Sequence, residues 1–202
     1  MKTILLHGLG QTAQAWNDIT KHLPEVDAAC IDLFTYESSY TDVFANMEKL
    51  LHNTPGRIRL CGMSLGAVLA LDYSIRHPDH VDSLILIGAQ YKMPTALLNV
   101  QNLIFRLMPK SAFANTGLSK AAMIRLSSSM KQLDFTQELS KISCPVAVVC
   151  GEKDRANRKA AQELSEKLSN AVLYIVPECS HEVNILKPDV IVSIITERWT
   201  DS

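Results

Sequence analysis

Short and almost continuously apolar segments recur along the chain. Six of them, rich in aliphatic and β-branched residues, span residues 3–6, 28–33, 58–61, 83–87, 145–150 and 172–176. A strand with one solvated face alternates apolar and polar residues, whereas a parallel strand buried on both faces forms an unbroken apolar run. The pattern therefore predicts six strands, most of them parallel, in one sheet.

Amphipathic segments of helical length separate most of these strands. They cover residues 14–23, 40–51, 65–76, 155–168 and 188–199. Strands that alternate with helices are joined by right-handed crossovers, which place helices on both faces of the sheet. We therefore predict an α/β fold with a mostly parallel, doubly wound sheet, built as a single domain over residues 1–202.

One interval interrupts the alternation. Residues 88–144 separate the fourth strand from the fifth, and this is longer than a single crossover requires. Its clearest features are two helical segments, 96–108 and 118–130, which are rich in Leu, Met, Ile and Phe. We interpret approximately residues 91–141 as a short helical cap. Its apolar stripe either packs on the core as an ordinary helical pair or roofs a pocket, and the two interpretations are compatible.

Composition and charge exclude several classes of protein. The chain is 47% hydrophobic and 20% charged with a net charge of −1, and no run of Lys and Arg indicates a nucleic-acid or membrane partner. The apolar start ends at His7 without a small-residue cleavage site, so a signal peptide is disfavoured. The five cysteines are scattered without metal-ligand spacing. We expect reduced thiols, a cytoplasmic location, no metal and no organic cofactor.

The strongest local motif is Gly62-Met63-Ser64-Leu65-Gly66, which lies between the third strand and a helix. A serine at the centre of such a turn has costly backbone angles and projects its hydroxyl above the sheet edge. The N-terminus of the following helix favours negative charge that develops beside that hydroxyl. A glycine-rich turn without chemistry is the alternative, but the flanking strand and helix favour Ser64 as a nucleophile.

A second glycine-rich loop, His7-Gly8-Leu9-Gly10, follows the first strand. Acyl transfer needs N–H donors aimed at the oxygen that becomes negative, and each donor typically contributes about 3–4 kcal/mol to lowering the barrier. We assign this role to the backbone N–H groups of Leu9 and Leu65 and expect His7 to fix the loop. A simple strand-to-helix turn is the alternative.

Two further candidates follow the last two strands. His181 is the one histidine of six that comes late in the chain just after a strand, and we predict it as the general base. Asp154 follows the fifth strand and supplies the carboxylate that an imidazole base needs for its orientation. Glu152 and Asp32 are its rivals, and a helix-capping carboxylate is the alternative role. All these signals fall at the carboxyl ends of strands, where binding crevices form in doubly wound sheets.

Together these residues resemble the α/β-hydrolase superfamily, whose nucleophile–acid–base order is similar to Ser64, Asp154 and His181. The resemblance covers almost the whole chain and implies a minimal serine esterase-like member. We expect the antiparallel first hairpin of the superfamily to be absent. Residues 34–37 replace its usual glycine-rich turn after the second predicted strand. A serine nucleophile disfavours the dehalogenases and epoxide hydrolases of the superfamily, which use aspartate.

The predicted activity is that of a carboxylesterase-type hydrolase, which cleaves small carboxylic esters or thioesters through an acyl-enzyme on Ser64. The apolar cap favours a short to medium acyl chain or a small aromatic ester. We predict a substrate pocket lined by Met63, Phe105, Met108, Met123 and Val183.

Two alternatives remain open from the sequence. Residues 151–160, with Arg155 and Arg158, resemble the corresponding segment of a menaquinone-pathway synthase of the superfamily, which is a lyase. The same scaffold also serves as a non-catalytic receptor for small ligands, because fold does not determine function. We expect a small-molecule ester as partner, no nucleic acid, no membrane, and either a monomer or a homodimer.

Overall fold

The computed structural model describes residues 1–23, 25–34 and 39–199. Every neighbouring pair of strands in its sheet is parallel, and the strand order is β2-β1-β3-β4-β5-β6. The six-stranded sheet predicted from the apolar runs is confirmed. Its strands are β1 (Lys2–Leu6), β2 (Ala28–Ile31), β3 (Ile58–Met63), β4 (Val81–Ile87), β5 (Val146–Gly151) and β6 (Ala171–Val176).

Helices connect the strands, as the amphipathic segments predicted. Short 3₁₀ segments at Ala13–Trp16, Lys110–Phe113 and Leu139–Lys141 supplement the α-helices. The α-helices of the described residues are α1 (Asn17–Thr20), α2 (Tyr40–His52), α3 (Leu65–Arg76), α4 (Thr95–Leu107), α5 (Lys120–Ser129), α6 (Arg158–Lys167), α7 (Val183–Leu186) and α8 (Pro188–Trp199).

Both faces of the central strands β1, β3, β4 and β5 are largely buried, which explains why these strands are mainly apolar. The edge strands β2 and β6 are only partly buried. In β4, Leu84 and Leu86 belong to one hydrophobic core, with α2, α3 and α6, whereas Ile85 and Ile87 belong to a second core with α1 and α8. Successive side chains of a strand point to opposite faces, so each core takes alternate residues of the same run. The doubly wound arrangement follows from this division.

Two predicted helices begin or end elsewhere in the structure. The helix expected over residues 14–23 is a 3₁₀ turn followed by the short α1, which ends at Thr20. Pro24 follows this segment, and the residue before a proline is driven away from helical angles. The helix expected from residue 155 begins at Arg158, because residues 154–157 form a turn. The turn expected over residues 34–37 lies mostly outside the described residues.

The segment between β4 and β5 contains α4 and α5, which pack side by side and run in opposite directions. Near one end, the Thr95 hydroxyl donates to the Lys131 carbonyl at 3.2 Å. At the other end, the Lys120 ammonium donates to the carbonyls of Arg106 and Met108, both at 2.6 Å. The two Lys120 bonds satisfy carbonyl groups at the C-terminus of α4, which have no partner within the helix.

The cysteines are free thiols; Cys30 is half-buried, and the others, Cys61, Cys144, Cys150 and Cys179, are buried. Within the described residues, every helix is too short or too polar to cross a membrane.

Gly66 permits a close contact between α3 and β1 that sets the stability of this packing. A Cβ atom at position 66 would lie 2.2 Å from the Leu6 carbonyl oxygen, a backbone atom that cannot move aside. We therefore expect Gly66→Ala to lower the free energy of unfolding by more than about 3 kcal/mol, the upper range for overpacked cores. Urea unfolding followed by circular dichroism measures this change.

Gly56→Ala is the matched control, because position 56 has a φ of +73° but no atom lies within 4 Å of the point that a Cβ would occupy. It should cost only the conformational penalty of about 1–2 kcal/mol. Equal losses in the two variants would contradict the steric explanation.

Candidate active site

Ser64 occupies a strained turn between β3 and α3. Its φ of 52° and ψ of −110° lie outside the regions that non-glycine residues prefer, at a cost of about 1–3 kcal/mol. The surrounding backbone holds it there, since the Ser64 N–H donates to the Ile87 carbonyl at 2.8 Å and its carbonyl accepts from the Val68 N–H at 3.0 Å. The turn is tight because Gly62 packs against Gly66, where a Cβ would approach backbone atoms to 2.4 Å.

His181 lies beside Ser64, although 117 positions separate them in the chain. The loop after β6 carries His181, and its Nε2 atom is 3.0 Å from the Ser64 Oγ atom. Its Nδ1 atom is 2.6 Å from Asp154 Oδ2. With Asp154 ionised, Nδ1–H donates to the carboxylate, so that Nε2 is free to accept the Ser64 proton.

Asp154 follows β5 and is buried at the end of the hydrogen-bonded series that runs from Ser64 through His181. Burial raises the pKa of the Asp154 carboxyl, but the hydrogen bond and charge of His181 and the hydrogen bonds from Asn157 outweigh it and leave the pKa below its ordinary value. The carboxylate therefore stays ionised at neutral pH, where it can orient and stabilise an imidazolium. Of its two rivals, Glu152 accepts from the Glu178 N–H, and Asp32 accepts from the Ala13 N–H.

Asn157 was not predicted from the sequence, yet it contacts both members of the His181–Asp154 pair. Its Nδ2 atom is 2.9 and 2.8 Å from the two carboxylate oxygens and 3.1 Å from His181 Nδ1. The amide orientation is set by Gln90, whose Nε2 donates to Asn157 Oδ1 at 2.7 Å. The spacing of three residues from Asp154, at the start of a helix, is the only sequence signal that points to Asn157.

The predicted oxyanion donors lie at the cavity beside Ser64. Leu9 is on the loop after β1, and Leu65 is the first residue of α3. Both line the same cavity as Ser64 and His181. The first N–H groups of a helix have no acceptor within the helix, so the Leu65 N–H remains available to an oxygen of a substrate.

His7 fixes the Leu9 loop through both ring nitrogens. Nε2 accepts from the Leu33 N–H at 3.0 Å, and Nδ1 donates to the Gly8 carbonyl at 2.9 Å. Burial lowers the pKa of His7 more than its hydrogen bond to Gly8 and the charge of Asp32 raise it. A neutral ring with these two bonds anchors the loop and has no nitrogen left for proton transfer.

A buried amide pair joins the Leu9 loop to the His181 loop. Asn184 Nδ2 donates to Gln11 Oε1 at 3.2 Å, and the same Gln11 oxygen accepts from the Gly8 N–H at 3.1 Å. Gln11 Nε2 in turn donates to Asn184 Oδ1 at 3.3 Å and to Glu182 at 3.2 Å. These bonds fix the spacing of the two loops; neither amide was a candidate from the sequence.

A cavity of about 500 Å³ opens beside Ser64 and runs under the α4–α5 pair. Its walls are mainly aliphatic, and among the described residues none of those that line it is Lys or Arg. The Ser127 hydroxyl is fully buried at the wall without a hydrogen-bond partner. The apolar lining away from the catalytic groups is formed by Val68, Met93, Pro94, Leu97, Leu98, Val100, Ile104, Phe105 and Met130.

The structure corrects most of the predicted pocket. Phe105 lines the cavity, but the other four predicted residues are not among its walls. Met63 and Val183 are buried in the second core, because their side chains point to the opposite face of the sheet from the cap. Met123 is buried in the first core, and Met108, just after α4, is half-buried against that core. Side-chain direction, which apolar character does not reveal, decides each of these positions.

The sequence model of a family described as "Alpha/beta hydrolase family" matches residues 3–194. Among curated proteins, "Alpha/beta hydrolase domain-containing protein VTE7" of Arabidopsis thaliana is 28% identical over 68% of this chain and 52% of its own length. The chain therefore spans about half the length of that relative.

Two bacterial relatives match over nearly the whole chain. The pimeloyl-[acyl-carrier protein] methyl ester esterase of Vibrio vulnificus is 21% identical over 92% of this chain and 89% of its own length. The putative 2-succinyl-6-hydroxy-2,4-cyclohexadiene-1-carboxylate synthase of Bacillus subtilis is 19% identical over 98% of this chain and 89% of its own length.

Solved structures share the fold over the full length. A carboxylesterase structure from the thaumarchaeon Nitrososphaera gargenis superposes with a TM-score of 0.83 at 18% identity, covering 99% of this chain and 90% of the other. At this identity the match bears on the fold alone. Together with the family match over residues 3–194, it establishes that the chain belongs to the α/β-hydrolase family.

Proposed function

We propose that this protein is a serine hydrolase that cleaves small carboxylic esters or thioesters through an acyl-enzyme on Ser64. The observation that carries the proposal is the hydrogen-bonded chain from Ser64 through His181 to Asp154, at the wall of an apolar cavity. Strain at Ser64 adds support, because strained backbone clusters at sites where it serves the chemistry. The esterase among the bacterial relatives also favours an ester substrate.

Acylation begins when the Ser64 oxygen attacks the substrate carbonyl carbon and its proton passes to His181 Nε2. The carbonyl π electrons move to the oxygen, which accepts hydrogen bonds from the N–H groups of Leu9 and Leu65. When the tetrahedral intermediate collapses, the bond to the alcohol or thiol breaks, and His181 gives its proton to the leaving group. Asp154 stabilises the imidazolium between these two transfers.

Deacylation repeats the sequence with water as the nucleophile. His181 removes a proton from water, the resulting oxygen attacks the acyl carbonyl, and the proton returns to Ser64 as the acid leaves. Asn157 takes no proton in these steps. It keeps the carboxylate of Asp154 in position beneath the ring.

The cavity favours an uncharged acyl group. Its aliphatic walls gain free energy from burial of hydrocarbon, whereas no Lys or Arg among its described lining residues offers a partner to a carboxylate. Arg155 and Arg158, which suggested a lyase with an anionic substrate, are exposed and do not line the cavity. This arrangement favours the hydrolase over the lyase.

Ser64→Ala should abolish hydrolysis of nitrophenyl esters, with a loss in kcat of about 10⁴-fold or more, because removing one member of such a triad disables the whole unit. Steady-state kinetics measures this loss, and a fluorophosphonate probe mapped by mass spectrometry should label Ser64. Ser180→Ala, at an exposed serine next to His181, is the control and should remain active and labelled.

Two results would contradict the hydrolase. Full turnover in the Ser64→Ala variant would remove Ser64 from the reaction. The alternative of a non-catalytic receptor would be favoured if the wild-type protein binds a ligand tightly but neither reacts with the fluorophosphonate probe nor hydrolyses esters.

A series of nitrophenyl esters from acetate to octanoate tests the apolar cavity. We expect kcat/KM to rise with chain length by up to about fourfold per methylene, which corresponds to about 0.8 kcal/mol per buried CH₂, until the cavity is filled. A nitrophenyl hemisuccinate should react more slowly than the butyrate ester. A preference for the anionic ester would instead favour the lyase alternative.

Asn157→Leu tests the support of Asp154 with a side chain of similar size. We expect kcat to fall by about 10- to 100-fold, since a hydrogen bond to a charged group contributes about 1.5–3 kcal/mol. Without the Asn157 bonds, burial should raise the pKa of Asp154 relative to the wild type. Protonated Asp154 lacks the negative charge that stabilises the His181 imidazolium, so activity should be lost at a higher pH on the acid side.

The readout is the pH profile of kcat. Asn170→Leu is the control, because Asn170 is exposed, donates to the Ser143 carbonyl and is not among the residues that line the cavity. An unchanged profile in Asn157→Leu would show that this amide does not act on Asp154.

A further inference from the structure

Helix α4 presents an unusual face to solvent. Its inward side includes Leu98 and the polar residue Asn102, both buried, and the Asn102 amide donates to Ser128 of α5 at 3.0 Å. Its outward side exposes five aliphatic side chains over three turns, alongside Thr95, Asn99 and Arg106. An amphipathic helix normally turns such aliphatic side chains toward the core. We define this α4 outer face as Leu97, Val100, Leu103, Ile104 and Leu107, with exposed fractions of 40%, 55%, 56%, 51% and 78%.

Basic residues predominate in the segment of the sequence that contains this face. Residues 91–131 contain six of the 20 Lys and Arg of the chain and none of its 21 Asp and Glu. The rest of the chain therefore carries 14 basic against 21 acidic residues. Over the whole cap, residues 91–141, seven basic residues stand against two acidic ones, Asp134 and Glu138. A protein with nearly balanced total charge thus has a basic cap and an acidic body.

The basic groups nearest the outer face lie at the C-terminal end of α4. Arg106 adjoins Leu107, and Lys110 follows three residues later; both are exposed. The Lys120 ammonium is held at the same end by the carbonyls of Arg106 and Met108. By contrast, Lys92 pairs with Asp134 at 2.9 Å, so its charge is neutralised locally.

We propose that the α4 outer face docks on an anionic phospholipid surface. An exposed aliphatic row flanked by Lys and Arg is the combination that binds at the boundary between headgroups and acyl chains. Apolar side chains such as Leu103 and Leu107 enter this boundary, while basic side chains remain with the phosphates. The acidic body is repelled by the same surface, so the protein approaches with its cap first.

Two other occupants fit the face less well. A second copy of the chain, packed through the same face, would bring two basic caps together, and like charges in an interface are destabilising. A protein partner usually meets a surface enriched in aromatic residues and Met. The α4 outer face has neither, and its branched aliphatic side chains match a hydrocarbon environment.

Docking would also place the cavity against the lipid. Leu97, Val100 and Ile104 belong to the α4 outer face and line the cavity beside Ser64 at the same time. If the protein is the proposed hydrolase, these shared residues give amphiphilic esters a continuous apolar path from the lipid surface to Ser64. The docking itself requires no catalysis.

The expectation of no membrane partner came from the absence of a Lys and Arg run, whereas the structure gathers spaced basic residues on one cap.

Vesicle flotation with the full-length protein tests the docking. Vesicles of phosphatidylcholine alone are compared with vesicles that also contain phosphatidylglycerol, at low and at high salt. We expect at least about tenfold more bound protein with phosphatidylglycerol at low salt and a loss of this gain at high salt. Equal binding to the two compositions, or binding to neither, would overturn the proposal.

A pair of matched double variants locates the contact. Arg106→Glu with Leu107→Ser alters the α4 outer face, and Lys49→Glu with Leu50→Ser makes the same changes on the exposed surface of α2. The first pair should lose about tenfold or more in binding, and the second should not. Equal losses of vesicle binding in the two double variants would show nonspecific attraction and overturn the proposal. Thermal melting confirms that both variants fold.

Two further readouts separate the remaining explanations. Ser64→Ala protein should float as the wild type does, so a failure of docking and a failure of hydrolysis are distinguishable. Size-exclusion chromatography reports on the second copy. Suppose that the wild-type protein does not float and forms a dimer, and that the double variant Arg106→Glu with Leu107→Ser is monomeric. This result would assign the α4 outer face to self-association and overturn the lipid proposal.

Discussion

The hydrogen bond between the Ser64 hydroxyl and His181 Nε2 is the contact on which the candidate site depends. It joins β3, near the middle of the sheet, to β6 at its edge, with β4 and β5 between them. Parallel pairing makes this possible, because the carboxyl ends of all the strands lie at one edge. The strained turn carries the Ser64 hydroxyl, and Asp154 contacts the opposite nitrogen of the ring at 2.6 Å, so that Nε2 lies 3.0 Å from the hydroxyl oxygen.

Buried amides provide much of the support around this contact. Asn157 holds Asp154 from the α6 side, while Gln11 and Asn184 connect the Leu9 loop to the His181 loop. A buried polar group is costly unless its hydrogen bonds are made, so these bonds also restrict the loops to one arrangement. In the proposed mechanism, the positions of the hydrogen-bond donors therefore depend on residues that take no part in the chemistry.

The cap combines two surfaces with different chemistry. Toward the body, α4 and α5 cover a cavity with aliphatic walls and a few polar groups, such as Gln101 and Ser127. Toward solvent, α4 exposes aliphatic side chains next to basic residues. Three of these side chains line the cavity as well, so the proposed substrate site and the proposed docking face share a boundary. In these two proposals, access to Ser64 and attachment to a lipid surface both depend on α4.

The sequence by itself determined the sheet, most helices and the three residues of the proposed triad. Unbroken apolar runs define buried parallel strands. Asp154 and His181 were predicted because each lies shortly after such a run, and Ser64 because it stands at the centre of a glycine-flanked turn between a strand and a helix. Only the tertiary structure decided which side chains face the cavity, since Met63, Met123 and Val183 are apolar like the true walls but point elsewhere. Asn157, Gln11 and the outward face of α4 likewise depend on which segments meet, because long-range contacts, and not local periodicity, set side-chain direction.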